Sequence, residues 1–262
     1  MKQIILICMV LCCVAAQASD LAREARLAEQ IIDAIIDGDP VMLRSGDHEF
    51  LSIYTEAETT AEHPRAHGAA IILHGRGFHP NWADVVLPLR VGLTEYGWNT
   101  LSMQMPVLEK EAKFYDYVPI FSEAGPRIDA GIEYLRARLE GQDKTKIVLI
   151  AHSCSVHMVM EWIDAGKMHG IDALVGIGMG ATDYRQPMAK PFPLDKISLP
   201  VLDVYGADDY PAVQRGAPQR LAMMKQAGNP RSAQIVVLEA NHYFTEMGDE
   251  LLDTILAWLN TL

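Results

Sequence analysis

The chain has 262 residues, half of them hydrophobic, with 22 basic and 34 acidic side chains and a net charge of −12. That balance excludes partners that need broad basic patches, such as nucleic acid and anionic membrane surfaces. Three of the four cysteines, Cys8, Cys12 and Cys13, fall in an N-terminal leader-like stretch; Cys154 is the other, so the body of the chain holds no intrachain disulfide.

The first residues follow the pattern of a secretory signal: Lys2 gives a positive start, residues 4–16 are apolar, and Ala16-Gln17-Ala18 is an A-x-A cleavage site. The apolar run is shorter than the roughly 20 residues that a membrane span needs. The expectation is a cleaved leader, residues 1–18, a mature start at Ser19, a periplasmic or secreted location, and no membrane span after cleavage.

Residues 19–262 predict a single α/β domain. Leu21, Ala25, Ala28, Ile32 and Ile35 recur at helical spacing before Gly38-Asp39-Pro40 stops them, which predicts an amphipathic helix packed through that face, in a segment of residues 19–40. Two strands are expected within 41–58, then a polar loop over 59–68. From there strands at 69–73, 98–105, 146–150, 173–179, 200–205 and 233–239 alternate with helices at 82–96, 124–139, 156–165, 217–227 and 249–259. Such alternation predicts a mostly parallel sheet with helices on both faces. Two loops, 106–121 and 183–196, leave carboxyl ends of strands, where open α/β sheets bind ligands.

The chemistry concentrates at "KIVLIAHSCSVHM", where an apolar strand breaks into a helix-like stretch across Ala151-His152-Ser153-Cys154-Ser155. A serine hydroxyl is a weak nucleophile until a base takes its proton. A tight strand-to-helix turn holds such a serine out toward a base, and the next backbone N–H helps to bind an oxyanion; the turn needs small residues two before and two after, usually glycine. Ala151 and Ser155 are both small, though neither is glycine. Cys154 and Ser155 are lesser alternatives as nucleophile, since a side chain off the apex points away from a base.

The rest of the constellation follows in the order Ser, acid, His. In "PVLDVYGADDYPAV" a strand ends at a glycine and acids follow; Asp209 is favoured as the group that orients the base, with Asp208 as runner-up. In "VVLEANHYF" His242 follows a strand and precedes the last helix, where it can reach back to the serine as base. In "IILHGRGFHPNW" a strand ends in His74-Gly75-Arg76-Gly77, and glycines let backbone N–H groups approach an oxyanion. Arg76 and Cys154 are the expected oxyanion donors. His74, Gly75, Gly77, His79, Gln104 and His152 lie near strand ends as candidate pocket residues; Trp82 is better read as packing. No His/Cys spacing suggests a metal, and neither metal nor cofactor is expected.

With these residues assembled, the chain resembles the α/β-hydrolase superfamily over nearly all of its mature length. "HGRGFHPNW", "YGWNTLSMQMP", "RIDAGIEYL" and "AHSCS" resemble a bacterial family known as domain of unknown function 3530, whose members usually carry export signals. The resemblance implies an α/β-hydrolase fold with the nucleophile at Ser153, the acid at Asp209, the base at His242 and oxyanion donors at Arg76 and Cys154. The expected function is an exported serine hydrolase, with a small carboxylic ester as substrate. A thioesterase or peptidase with the same residues, and a binding protein that keeps the fold without turnover, are the alternatives. Protein partners and oligomeric state are not legible.

Overall fold

The computed structural model describes residues 18–61, 64–139 and 145–262. The leader expected over residues 1–18 lies outside them except for Ala18.

Eight strands form one sheet in the order β1-β2-β4-β3-β5-β6-β7-β8. They are β1 (Asp39–Ser45), β2 (His48–Thr55), β3 (Gly68–Leu73), β4 (Trp98–Met103), β5 (Lys146–His152), β6 (Ala173–Ile177), β7 (Val201–Asp208) and β8 (Ala233–Asn241). β1 and β2 form an antiparallel hairpin that joins β4, and every pair from β4 to β8 is parallel. β3 and β6 are apolar along their whole length, as strands covered on both faces are. Along β3, Ala69, Ile71 and Leu73 enter one core while Ala70 and Ile72 enter the other, the period-2 alternation that a pleated strand dictates.

Helices α4 (Ala124–Arg138) and α5 (Cys154–Asp164) cover the first face, and α2 (Val86–Glu95) and α7 (Gly248–Leu259) cover the second. Helix α6 (Pro211–Ala227) follows β7, and a single helical turn, α3 (Phe114–Tyr117), interrupts the loop after β4. No helix among the described residues is long and apolar enough to cross a membrane.

Several boundaries depart from the sequence expectation for local reasons. The helix expected from residue 82 begins at Val86; the residues ahead of it form a turn in which Trp82 packs on Phe78 and Val85 enters the second core. α6 begins at Pro211 and not at 217: Pro211, Gly216 and Pro218 look like breakers, yet a proline at the first helical position needs no N–H. The loop expected over 106–121 contains α3 and a 3₁₀ segment, Val118–Glu123.

The largest correction concerns the N-terminal helix α1 (Leu21–Ile31), which ends in a short 3₁₀ turn at Ala34. The expected face is not the packed one. Leu21 and Ile32 are 46% and 41% exposed, and Glu24 and Ile31 are buried in their place. Charge sets the rotation: Glu24 Oε1 and Oε2 receive both terminal nitrogens of Arg127 at 3.0 and 2.9 Å, and His48 Nε2 lies 3.0 Å from Oε2. Helix and body are thus joined by a bidentate ion pair in which each side chain is only 3% exposed.

A buried pair is costly to break because the surviving charge stays in a poor dielectric. Arg127→Ala is expected to destabilise the fold by about 3–5 kcal/mol, measured by chemical denaturation; a change below about 1 kcal/mol would show that α1 is not held by this pair.

Candidate active site

β5 ends at His152 and α5 starts at Cys154, so a single residue, Ser153, makes the whole turn. Ser153 adopts φ 55° and ψ −114°, a region that L-residues avoid at a cost of roughly 1–3 kcal/mol. Its N–H donates to Ile177 O at 2.8 Å, which pins the turn to the end of β6. The bend throws Ser153 Oγ out of the sheet, where it lies 2.8 Å from His242 Nε2.

His242 sits just past β8, and its Nδ1 lies 2.6 Å from Asp209 Oδ1. Asp209, one residue past β7, also accepts the Tyr210 N–H at 2.6 Å. A carboxylate acceptor at Nδ1 places the ring proton there and leaves Nε2 free to accept from Ser153 Oγ–H. Asp209 and His242 are both buried, whereas Asp208 is exposed at the end of β7. The Tyr210 ring stacks on His242, with centroids 4.1 Å apart. Gly178 lies beneath the pair at φ +63°, and a methyl group built there would sit 2.8 Å from His242 Cε1.

Arg76 and Cys154 both line the cleft in front of Ser153. Neither amide has an acceptor among the described residues. Cys154 is the first residue of α5, where N–H groups are left unpaired and the helix dipole is positive. The Cys154 side chain is another matter. It is buried in the core, and burial pushes the thiol up to about 12, which keeps it protonated and inert. The Ser155 hydroxyl is likewise committed, donating to His74 O at 2.5 Å.

None of the six candidate pocket residues lines this cleft. Gly75, Gly77 and His79 belong to the turn that carries Arg76, and Gly75 is pressed so closely on His152 that a methyl group would lie 2.6 Å from its Nδ1. His74 and Gln104 lie beneath that turn: His74 Nδ1 donates to Gly75 O at 2.7 Å, while its Nε2 accepts the Met105 N–H at 2.9 Å and has Gln104 Nε2 3.0 Å away. His152 Nε2 donates to the His242 carbonyl at 3.0 Å, so it steadies the backbone of the base without facing the cleft. The polar groups of His74, Gln104 and His152 point down into the scaffold, and the reading of these three as pocket residues is corrected accordingly. Trp82 packs as expected, stacked on Phe78 at 3.8 Å.

The actual walls are Phe78, Phe114, Tyr210 and Tyr243, with Ala181 and Thr182. Phe114 opens α3 and the other aromatics stand in loops, so no periodicity marks them. The cleft is narrow, about 40 Å³, enough for roughly three water molecules. A wider one of about 310 Å³ adjoins it, sharing Thr182 and Tyr210 and lined further by Tyr184, Arg185 and Arg215. Both loops singled out in the sequence border the site. They are tied to the Arg76 turn by one carboxylate: Asp183 receives the two terminal Arg76 nitrogens at 2.8 and 3.0 Å and the Phe114 N–H at 2.6 Å. The Arg76 guanidinium holds the Asp183 carboxyl below its usual range.

The described residues hold no group of three or more His, Cys, Asp or Glu side chains placed to bind a metal ion. The arrangement can activate a hydroxyl and offer two backbone donors to a developing negative charge.

A model of the family described as protein of unknown function (DUF3530) matches residues 15–124 and 122–261. The chain belongs to this family. No curated protein matches it. Among solved structures, an esterase of Pyrococcus furiosus is similar with a TM-score of 0.64 at 15% identity, over 88% of this chain and 93% of that one. An α/β serine hydrolase without lid from Xanthomonas campestris gives 0.61 at 13% identity, over 86% and 95%. Est1E from Butyrivibrio proteoclasticus gives 0.57 at 16%, over 86% and 100%. At such identities the likeness shows the fold: this family member has the α/β-hydrolase fold.

Two measurements probe the site. Gly178→Ala is expected to push His242 off Ser153, seen as loss of the hydrogen-bonded ring-proton NMR signal of His242; an unchanged signal would mean that the close approach does not matter. His74 and His152 are held down to about 3, and His157 to about 4, with burial the largest cause in each. Their folded values lie below the ordinary 6.5, so the unfolded chain binds more protons in acid. Stability is therefore expected to fall as pH drops from about 6.5 toward about 4, and a flat denaturation midpoint across that window would contradict buried neutral histidines.

Proposed function

We propose that the protein is an exported serine hydrolase that cleaves carboxylic esters through an acyl-enzyme on Ser153. The observation that carries this reading is the continuous relay of Ser153 Oγ to His242 Nε2 at 2.8 Å and His242 Nδ1 to Asp209 at 2.6 Å, on a serine held at φ 55°. Esterases among the similar folds support the choice of bond. The leader pattern ahead of Ser19 supports export.

In this mechanism Ser153 attacks the carbonyl carbon as His242 Nε2 takes the hydroxyl proton. The imidazolium that forms is stabilised by Asp209, and the oxyanion by the N–H groups of Arg76 and Cys154. His242 then gives its proton to the leaving alcohol. Water repeats the attack on the acyl-enzyme, and Ser153 is restored. The narrow cleft suits a short acyl group, with the remainder of the ester in the wider cleft past Tyr210.

Thioesters and peptides would follow the same steps and differ in leaving group, so a substrate panel separates them. A fluorophosphonate probe should label the wild type and fail to label Ser153→Ala or His242→Ala. Ester turnover should fall roughly 10⁴–10⁶-fold in Ser153→Ala, and about 10²–10³-fold where one oxyanion donor is disabled. A folded wild type that neither labels nor turns over any ester, thioester or amide would favour a binding protein on this fold.

A further inference from the structure

The A-x-A pattern makes Ser19 the first residue after cleavage. Independently, the Ser19 backbone nitrogen lies 3.3 Å from both carboxylate oxygens of Glu123, 104 residues away in sequence. Ser19 is buried, whereas Ala18 just ahead of it is exposed. A peptide N–H has one proton to share between those two oxygens. An α-ammonium has three protons and a full charge, and charge-assisted hydrogen bonds are about twice as strong. Glu123 has no other hydrogen-bond or ion-pair partner among the described residues.

We propose that hydrolysis of the Ala18–Ser19 bond creates the partner for Glu123 and that the new N-terminus is a structural clamp on the loops beside the active site. Water adds across the peptide bond under an endoprotease that reads small residues at 16 and 18. Ala18 leaves with the carboxylate, and Ser19 keeps an α-ammonium that pairs with Glu123.

The residues after Ser19 show what the clamp would hold. The Asp20 N–H donates to Val107 O at 2.7 Å, and the Asp20 side chain caps α1 by accepting from Arg23 N at 2.8 Å. The Arg23 guanidinium bonds to Leu108 O and, at 3.2 Å, to Gly77 O. Gly77 is next to Arg76, so Arg23 is a positioning residue for the turn that carries one proposed oxyanion donor. Glu24 closes the segment on Arg127, whose Nη1 also donates to Gln104 O at 3.1 Å. The first six residues of the processed chain would thus be fastened to the loop after β4 and to the Arg76 turn.

The other charges on these elements are already engaged or exposed. Asp20 lies 4.0 Å from Arg26, Glu24 takes Arg127 and His48, and Arg23 takes the two carbonyls. Glu109, Lys110, Glu111 and Lys113 on the loop are exposed. The N-terminal amine is therefore the group expected to titrate against Glu123. Its pairing would raise its pKa in the folded state, so the stabilisation is full below the unfolded value of about 8 and is lost as pH rises through the folded value.

The test has two parts. The full chain is exported with its own leader and the N-terminus of the recovered protein is read by mass spectrometry; Ser19 is expected first. Thermal unfolding is then compared for protein beginning at Ser19 and protein with two extra residues ahead of it, each with Glu123 or with Glu123→Gln. The extension should lower the Tm by about 2–4 °C when Glu123 is present and leave it unchanged in Glu123→Gln, and the difference should fade above about pH 8. A different first residue, or an equal effect of the extension in both backgrounds, would overturn the clamp. Neither measurement uses turnover, so the clamp and the hydrolase reading fail separately.

Discussion

The bend at Ser153 is the constraint on which the site depends. A non-glycine residue at φ 55° and ψ −114° relaxes unless both flanks are immovable. Upstream, β5 lies between β3 and β6 with every residue after Lys146 buried, and His152 is in register with Ile177. Downstream, the first turns of α5 are buried from Cys154 to Met160. The N–H of Ser153 is bonded to Ile177 O across the turn. The strain is thus borne by the whole parallel sheet, and what it secures is a single atom, Oγ, within hydrogen-bond reach of a base 89 residues further along the chain.

Around that bend the protein uses neutral imidazoles where it must bury polar groups. His74, His152 and His157 each bond a backbone carbonyl, of Gly75, His242 and Ala181 respectively. Each of these carbonyls belongs to a segment that shapes the cleft. A buried neutral donor satisfies such a carbonyl without the desolvation cost of a charge. Of the buried arginines, Arg90 bonds three neutral oxygens, of Asp37, Thr55 and Asn81, and two others sit in ion pairs. Arg127 meets Glu24, and Arg220 meets Asp203 at 2.7 Å on β7, the strand that delivers Asp209. Burial raises the Asp203 carboxyl and Arg220 opposes that rise. A chain with a net charge of −12 therefore depends on a few arginines, each holding one loop or helix at the site.

How much of this was legible follows from the range of each interaction. Strands β3, β5 and β6 are continuous apolar runs, and the residues at their carboxyl ends announce turns, so the sheet and the positions of Ser153, Asp209 and His242 could be read from local pattern. The rotation of α1 could not, because apolar spacing pointed to Leu21 and Ile32 while the deciding partner of Glu24, Arg127, is 103 residues away. Gly178 carries no local signal either; at φ +63°, it must also lack a side chain because His242 rests on it. His74 and His152 escape a pocket reading for a related reason: nearness to a strand end says where a residue is but not which way it points, and both point inward. Of the aromatic walls, Phe78, Tyr210 and Tyr243 stand in loops and Phe114 opens α3, its N–H held by the same Asp183 that takes Arg76.

The Ala151 and Ser155 positions show how a tight turn tolerates losing its usual glycines. The steric demand is that nothing large stand beside the apex, and a methyl and a hydroxymethyl group both meet it. Ala151 is completely buried within the ladder, in register with Leu73 and Gly176. Ser155 adds a contact that glycine could not make, its hydroxyl bonded to His74 O at 2.5 Å. A buried hydrogen bond of this kind contributes about 0.5–1.5 kcal/mol net, comparable with the strain at Ser153. It also joins two parts that must keep register, since His74 leads directly into the turn that bears Arg76, while Ser155 lies one residue past Cys154. The substitution therefore exchanges backbone freedom at the turn for a fixed spacing between the two N–H groups proposed to receive the oxyanion.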